Sequence, residues 1–424
     1  MANGPKTRVK GFLLALIGFL AASPVAANKI LIPMDLAQAD HLRAYGVAYF
    51  CLEHGTNVEW LLNYRSGSFM IDAIPEVEKI AKLRGVTYSI LSGGDAAGVY
   101  AEIQGKNMDV VLLEKAPRLV VYVAPNQRPW DDAVRLALEY ASIPYQKIWD
   151  EEILAGGLEQ YDWFHIHHED FTGQFGKFHA NYRGIPWYEE DIATNQKNAR
   201  TLGFKKVSQM KLAVAKRIKE YVNKGGFLFA VCSGPATLDV ALSAEGTDIV
   251  PQEFDGDPVA PDCNDKLDFS KTLAFQNFHA ELNPYVYATS DIDVSNDALL
   301  RGPQTYFSLF EFSAKYDPIP AMLTQDHVSL INEFMGQNTG FHKDKVKPGA
   351  TILAEVPGAD EVKYLYGTLG KGLFSFFGGH DPEQFQHRIG DPPTKLELHK
   401  NSPGFRIILN NVLFPAAKKK ELKT

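Results

Sequence analysis

The stretch Gly225-Gly226-Phe227-Leu228-Phe229-Ala230-Val231-Cys232-Ser233-Gly234-Pro235 carries the reading of the fold. Two glycines stop a Lys-rich amphipathic helix, which the spacing of apolar residues predicts over 208–223. Five apolar residues follow without a break, the mark of a strand buried on both faces of a parallel sheet. Pro235 then opens a helix expected to run to Ser243. A strand that turns at once into a helix, with Cys232 at the turn, has the geometry of a nucleophile elbow with sulfur in place of the usual serine. The helix N-terminus offers unpaired N–H groups and partial positive charge there, which lower a thiol pKa and suit an oxyanion. The competing reading is a small buried cysteine that fills space at a strand end.

Working outward, strand and helix patterns alternate on both sides. Upstream, strands are expected at 29–33, 58–62, 86–91 and 110–113, with helices at 39–52, 75–83 and 96–104 between them. The pattern restarts with strands at 118–124, 145–149 and 161–167 and a helix at 130–141. Downstream, strands are expected at 272–278, 306–312, 350–356, 362–366 and 372–377, with a hairpin turn at 367–371 and a last helix at 404–413. Such alternation predicts parallel sheets with helices on their faces. Two α/β units follow, residues 28–116 and 117–424. Residues 171–207 form an aromatic, Gly-containing insertion in the second unit, which reads as a lid.

Composition sets the class. The chain has 424 residues, 43 Lys+Arg against 51 Asp+Glu, 45% hydrophobic and 22% charged residues. These are ordinary globular values, and the acidic balance argues against a nucleic-acid partner. Residues 1–27 read as a secretory signal peptide: Lys6, Arg8 and Lys10 precede a short apolar run, and Val25-Ala26-Ala27 offers a cleavage site. The chain is therefore expected to be exported, to a periplasm or beyond, with no transmembrane segment after cleavage near Ala27. Three cysteines, Cys51, Cys232 and Cys263, are too few to staple a fold of this size, and their odd number leaves at least one thiol over.

Two further clusters bear chemistry. Phe374-Ser375-Phe376-Phe377-Gly378-Gly379-His380-Asp381-Pro382-Glu383 is an apolar strand that exits into two glycines, a histidine and two acids. Ligand sites in open α/β sheets lie outside the carboxyl ends of strands. His380, oriented by Asp381 or Glu383, is then a suitable base for Cys232; alternatively Asp381 caps a helix with Pro382 in its first turn. His165-Ile166-His167-His168-Glu169-Asp170 ends another strand, with His165 and His167 on one side. His165, His167, His168 and Glu169, with Ser233, Gly234 and Gly379, are expected to line the pocket. No cofactor is expected; a divalent metal on His165, His167 and Glu169 is the alternative that the spacing leaves open.

Residues 118–414 resemble the class I glutamine amidotransferase-like superfamily, and within it the trehalose-utilisation (ThuA-like) branch. Gly225-Gly226, Cys232 and the run Tyr366-Gly367-Thr368-Leu369-Gly370-Lys371-Gly372 followed by Gly379-His380-Asp381 carry the resemblance. It implies a flavodoxin-like parallel sheet with helices on both faces, Cys232 as nucleophile and His380 as base. The family's orienting Glu stands two residues after its His; here that position is Pro382, and Glu383 is one further on. Over its full length the chain also resembles exported bacterial proteins labelled asparagine synthetase B. That activity is not expected: it needs an N-terminal cysteine, where this chain has Ala2, and an ATP-pyrophosphatase loop. Ser92-Gly93-Gly94-Asp95 reads instead as a turn with Asp95 as helix cap. The expected function is a Cys-dependent hydrolase, an amidase or glutaminase-like enzyme acting on a small or peptide-like amide. The alternative is a non-catalytic envelope protein with a carbohydrate-binding pocket.

Overall fold

A computed structural model describes residues 1, 4, 27–126 and 132–417. The signal segment expected over 1–27 lies outside the described residues except at its ends. The first sheet holds β1 (Lys29–Ile32), β2 (Val58–Leu62), β3 (Ser68–Asp72), β4 (Ser89–Leu91) and β5 (Asp109–Leu113), in the order β4-β1-β3-β2-β5. Every neighbouring pair is antiparallel, which corrects the parallel arrangement expected for this part. The cause is β3, which the alternation did not reveal. Between β2 and β3 the backbone reverses through Asn63, Arg65, Ser66 and Gly67, all with positive φ, so β3 folds back between β1 and β2. Both faces are covered. Ile30, Ile32, Trp60 and Phe69 pack in one core with the His41–Glu53 helix, and Leu31, Leu61 and Met70 meet Ala96 and Ile103 of the Gly93–Gly105 helix. Ser92, not Asp95, caps that helix: its Oγ accepts the Asp95 N–H at 3.2 Å, while Asp95 reaches back to the Ser92 N–H.

The second sheet is mixed. Its strands are β6 (Leu119–Tyr122), β7 (Gln146–Ile148), β8 (Trp163–Ile166), β9 (Phe227–Val231), β10 (Tyr306–Leu309), β11 (Leu330–Asn332), β12 (Phe341–His342), β13 (Thr351–Glu355), β14 (Glu361–Leu369) and β15 (Gly372–Phe377). They run β11-β10-β13-β14-β15-β9-β8-β6-β7, with β12 beside β14. From β7 to β15 the pairing is parallel; from β15 outward it is antiparallel, because Gly370-Lys371 closes a tight hairpin between β14 and β15. Helices Ala133–Ala141 and Pro403–Leu413 pack on one face, in a core that continues into the first sheet's His41–Glu53 helix. Helices Val207–Lys224 and Gly234–Ser243 cover the other face.

Two other expectations change. Residues 272–278 do not form a strand. The buried Asp239 carboxylate accepts the N–H groups of Leu273, Ala274 and Phe275 at 2.6, 2.8 and 2.9 Å, consuming donors that a ladder would need. The insertion 171–207 is largely helical, with Pro186–Thr201 its main element, and Phe175 and Tyr188 form an aromatic cluster with Phe254 of the following region. Among the described residues no helix is long and apolar enough to cross a membrane.

Candidate functional site at the carboxyl ends of the parallel strands

Strands β8, β9 and β15 run parallel side by side, so their carboxyl ends share one edge. At that edge β9 turns at Cys232, whose φ of 56° lies in the left-handed region that residues other than glycine rarely adopt. Hydrogen bonds fix the turn to both neighbours. The Cys232 N–H donates to the Phe377 carbonyl at 3.1 Å, and the Gly234 N–H to the His167 carbonyl at 2.9 Å. A Cβ on Gly234 would stand 2.8 Å from that His167 oxygen, so only glycine fits.

The sulfur is covered by the loop 333–340. Backbone N–H groups of Asn338, Gln337 and Ser233 donate toward it. A methyl on Gly336 would lie 2.8 Å from Sγ and 2.9 Å from the His380 backbone nitrogen, so Gly336 is the spacer between them. Burial pushes the Cys232 thiol up to about 11 against the pull of the three amide donors. This corrects the expected lowered thiol pKa: at 1% exposure, desolvation outweighs the helix end. The Ser233 Oγ is buried and has no hydrogen-bond partner among the described residues.

The cover is tied down from below. The Lys363 ammonium donates to the Phe334 and Thr339 carbonyls, both at 2.7 Å, and pairs with Glu333. The Gly379 N–H reaches the Asn338 carbonyl at 2.7 Å, and Gly379 itself has φ 90° with Phe334 packed where a Cβ would stand. Asp293 accepts the Thr339 N–H at 3.1 Å and the Ser295 N–H at 3.0 Å; burial pushes its carboxyl up to about 7. Gln337 donates to the Gly176 carbonyl at 2.6 Å, joining the cover to the insertion.

Beside the elbow lies a file of imidazoles. The His380 Nδ1 is 3.1 Å from the His167 Nε2, and its ring stacks on His387 at 4.5 Å between centroids. The His167 Nδ1 is 3.4 Å from Asp132 Oδ1, and the His165 Nε2 is 3.6 Å from the same oxygen. The His165 Nδ1 donates to the Phe229 carbonyl at 2.9 Å. Asp132 also caps the Ala133–Ala141 helix, accepting the Arg135 N–H at 3.0 Å. Asp132, His165 and His167 are all closed to solvent. Burial pushes His167 down to about 4, so its ring is neutral at pH 7. Burial alone would raise the Asp132 carboxyl, but His165 and His167 beside it hold it well below the usual range. Half-buried His168 lies 5.2 Å from His167 and 5.6 Å from His380 by ring centroids.

The acids named from sequence are placed differently. The Glu383 carboxylate meets the His399 Nδ1 at 2.7 Å. Asp381 accepts the Glu383 N–H at 3.0 Å in a turn that no helix follows, so its capping role falls away. Burial pushes its carboxyl up. Glu169 curls onto its own strand end and accepts the His167 N–H at 2.5 Å; it joins neither of the histidine groups whose ligand atoms converge, Asp132-His165-His167 and His167-His168-His380. Sequence reasoning missed Asp132 and the loop 333–340. An Asp three residues before Arg135 at a helix start was the one signal for the former. For the latter it was the Gly-bounded polar run Gly336-Gln337-Asn338-Thr339-Gly340.

No family model and no curated protein matches this chain. Among solved structures it is similar to a cytoplasmic protein of Salmonella typhimurium, at 10% identity and a TM-score of 0.37 over 72% of this chain and 100% of the other. A second cytoplasmic protein, of Salmonella typhimurium LT2, matches at 14% identity and 0.33 over 71% and 99%. A GH42 beta-galactosidase, Gan42B, matches at 12% identity and 0.24, over 72% of this chain and 30% of the enzyme. Likeness at this level assigns no activity.

Proposed function

We propose that the chain is an exported Cys-dependent hydrolase of the class I glutamine amidotransferase-like superfamily, ThuA-like branch, acting on a small or peptide-like amide. The observation that carries the proposal is Cys232 itself, held at positive φ between a buried strand and a helix with three backbone N–H groups around its sulfur. Strain of this kind persists where the surroundings over-determine it, and it gathers at reactive centres. The parallel half of the second sheet, with helices on both faces, supports a flavodoxin-like second unit over residues 117–424.

In the proposed chemistry, the cover 333–340 lifts to admit the amide. His380 takes the Cys232 proton as the sulfur attacks the carbonyl carbon and returns it to the departing amine, which leaves a thioester; water, giving a proton to His380, then cleaves that thioester to the acid and the proton returns to the sulfur. The Ser233 N–H, which stays with the elbow, then receives the oxyanion, joined by the Gln337 and Asn338 N–H groups once the cover closes over the bound amide. An ionised Asp132 favours the proton on His167 Nδ1, which leaves the His167 Nε2 to accept from His380 and leaves the other His380 nitrogen as base. A panel of small amides, with and without a γ-carboxamide, tests this by release of ammonia or amine. Loss of turnover in both Cys232→Ser and His380→Asn, with the fold intact, is expected; full turnover in Cys232→Ser refutes the proposal.

One observation favours the non-catalytic carbohydrate reading. Tyr285 and Tyr287 are 54% and 43% exposed and stand beside Phe178 and His179 of the insertion. Exposed rings of this kind suit stacking on a sugar. Binding of oligosaccharides that survives Cys232→Ser but fails in Tyr285→Ala would put that reading first.

A further inference from the structure

We propose that Asp132, His165 and His167 bind a divalent first-row transition ion of the zinc class, through two imidazole nitrogens and one carboxylate. A carbonyl only accepts, so the 2.9 Å contact between His165 Nδ1 and the Phe229 carbonyl places the proton on Nδ1. In a neutral ring Nε2 then carries a lone pair, and it faces a carboxylate oxygen 3.6 Å away. Two acceptors confronting each other in a site closed to solvent need positive charge between them.

The spacing suits a metal better than a hydrogen bond. Separations of 3.4 and 3.6 Å from Asp132 Oδ1 are long for N–H···O contacts. Ligands held about 2.1 Å from a tetrahedral ion stand roughly 3.4 Å from one another. The His165 Nε2, the His167 Nδ1 and the Asp132 Oδ2 all lack a hydrogen-bond partner among the described residues, and the three residues bring ligand atoms within 4.8 Å of one another. Each is also held from behind as metal ligands ordinarily are: His165 by the Phe229 carbonyl, His167 by His380, Asp132 by the Arg135 N–H. The neighbouring group His167-His168-His380 lacks this signature, because its 3.1 Å contact is already a hydrogen bond. Two histidines and one carboxylate are a donor set for zinc or its first-row relatives, with a position left for water or a ligand. A cation on the His167 Nδ1 puts that ring's proton on Nε2, toward His380, which reverses the proton order that Asp132 alone favours, so the base role of His380 belongs to the metal-free chain; only this coupling rests on the proposed hydrolase, since metal content does not.

Metal-free full-length protein titrated with Co²⁺ alone tests the site, read by its visible ligand-field bands and by metal retained after gel filtration. About one equivalent per chain is expected, with four-coordinate bands. Affinity should fall at least ~10-fold in Asp132→Asn and His165→Gln and stay unchanged in Glu169→Gln and His168→Gln. No retention by the wild type would mean that a proton, not a metal, sits between His165 and Asp132, and would overturn the proposal. Loss in His168→Gln with retention in Asp132→Asn would overturn it in favour of the other group. Should the buried variants fail to fold, the wild-type Tm decides: it should rise on adding Co²⁺, and an unchanged Tm contradicts the site.

Discussion

The two sheets bury the same residue types to different ends. In the first, Cys51 sits inside the His41–Glu53 helix, and burial pushes its thiol up to about 12. His41 there has both ring nitrogens engaged, with Asn401 at 3.0 Å and the Met34 carbonyl at 2.9 Å. In the second, Cys232 has a strained backbone and amides on its sulfur, while His165 and His167 keep nitrogens that no hydrogen bond uses among the described residues. Strand direction explains the difference. Neighbouring antiparallel strands end at opposite edges, so polar groups at their ends scatter and are satisfied locally. Parallel strands all end at one edge, and β8, β9 and β15 deliver four histidines and a cysteine to it.

Swapping the two cysteines breaks this comparison most sharply. Cys232→Ser should cost at least ~10³-fold in turnover of a responsive amide. Cys51→Ser should leave turnover intact and cost about 1–3 kcal/mol of stability, because a hydroxyl enters an apolar core. Equal losses of turnover would show that both are packing residues. Glycines give the next largest contrast. Gly336→Ala drives a methyl into Sγ and the His380 backbone and should destabilise by about 1–3 kcal/mol in denaturant melts. Gly98→Ala, in an exposed stretch of the Gly93–Gly105 helix with no atom near its Cβ, should stabilise by roughly 0.5–1 kcal/mol.

The pH dependence of stability should also differ in sign. Asp293, beneath the Cys232 cover, has a folded pKa raised from 3.8 to about 7. Its contribution is full below about pH 4 and is lost as pH rises to about 7. His41, in the first sheet, is depressed from 6.5 to about 4, so its contribution is full above about pH 6.5 and lost as pH falls toward 4. Asp293→Asn should therefore gain on the wild type as pH rises from about 4 to about 7, by up to ~1.4 kcal/mol per pH unit, and hold that gain above it. A constant difference would contradict the raised carboxyl. The smallest effect is expected at Glu383. Its pair with His399 is partly exposed, so Glu383→Gln should cost under ~1 kcal/mol and leave turnover near wild type. A large loss would restore Glu383 as the orienting acid.

What was legible in the sequence was local. The elbow at Cys232, the Val207–Lys224 helix before it, the hairpin at Gly370-Lys371 and the Pro403–Leu413 helix all follow from runs of apolar residues punctuated by glycine and proline. Strand β3 was hidden because its turn uses Asn63, Arg65 and Ser66 at positive φ, residues that do not announce such a turn as Asn-Gly would. Strand 272–278 was wrongly expected because the acceptor for its N–H groups, Asp239, lies far away in sequence. For the same reason the site was half visible. Cys232, His380 and the His165–His168 strand end could be named, but Asp132 acts across the sheet, and the cover 333–340 reaches the sulfur through backbone atoms, announced only by the polar run between Gly336 and Gly340.

The account rests most heavily on Cys232 as a reactive thiol, and competitive alkylation tests that directly. Native protein is exposed to iodoacetamide, and the modified fraction at Cys51, Cys232 and Cys263 is followed by peptide mapping across pH. All three thiols are buried, so labelling reports local opening and thiolate fraction together. The cover over Cys232 is an irregular loop tied by hydrogen bonds to Lys363, Asp293 and Gly379, whereas Cys51 lies within a packed helix. The account predicts that Cys232 is labelled first, at a rate that climbs with pH toward about 11. Labelling of Cys51 and Cys263 while Cys232 stays protected until the protein unfolds would contradict it.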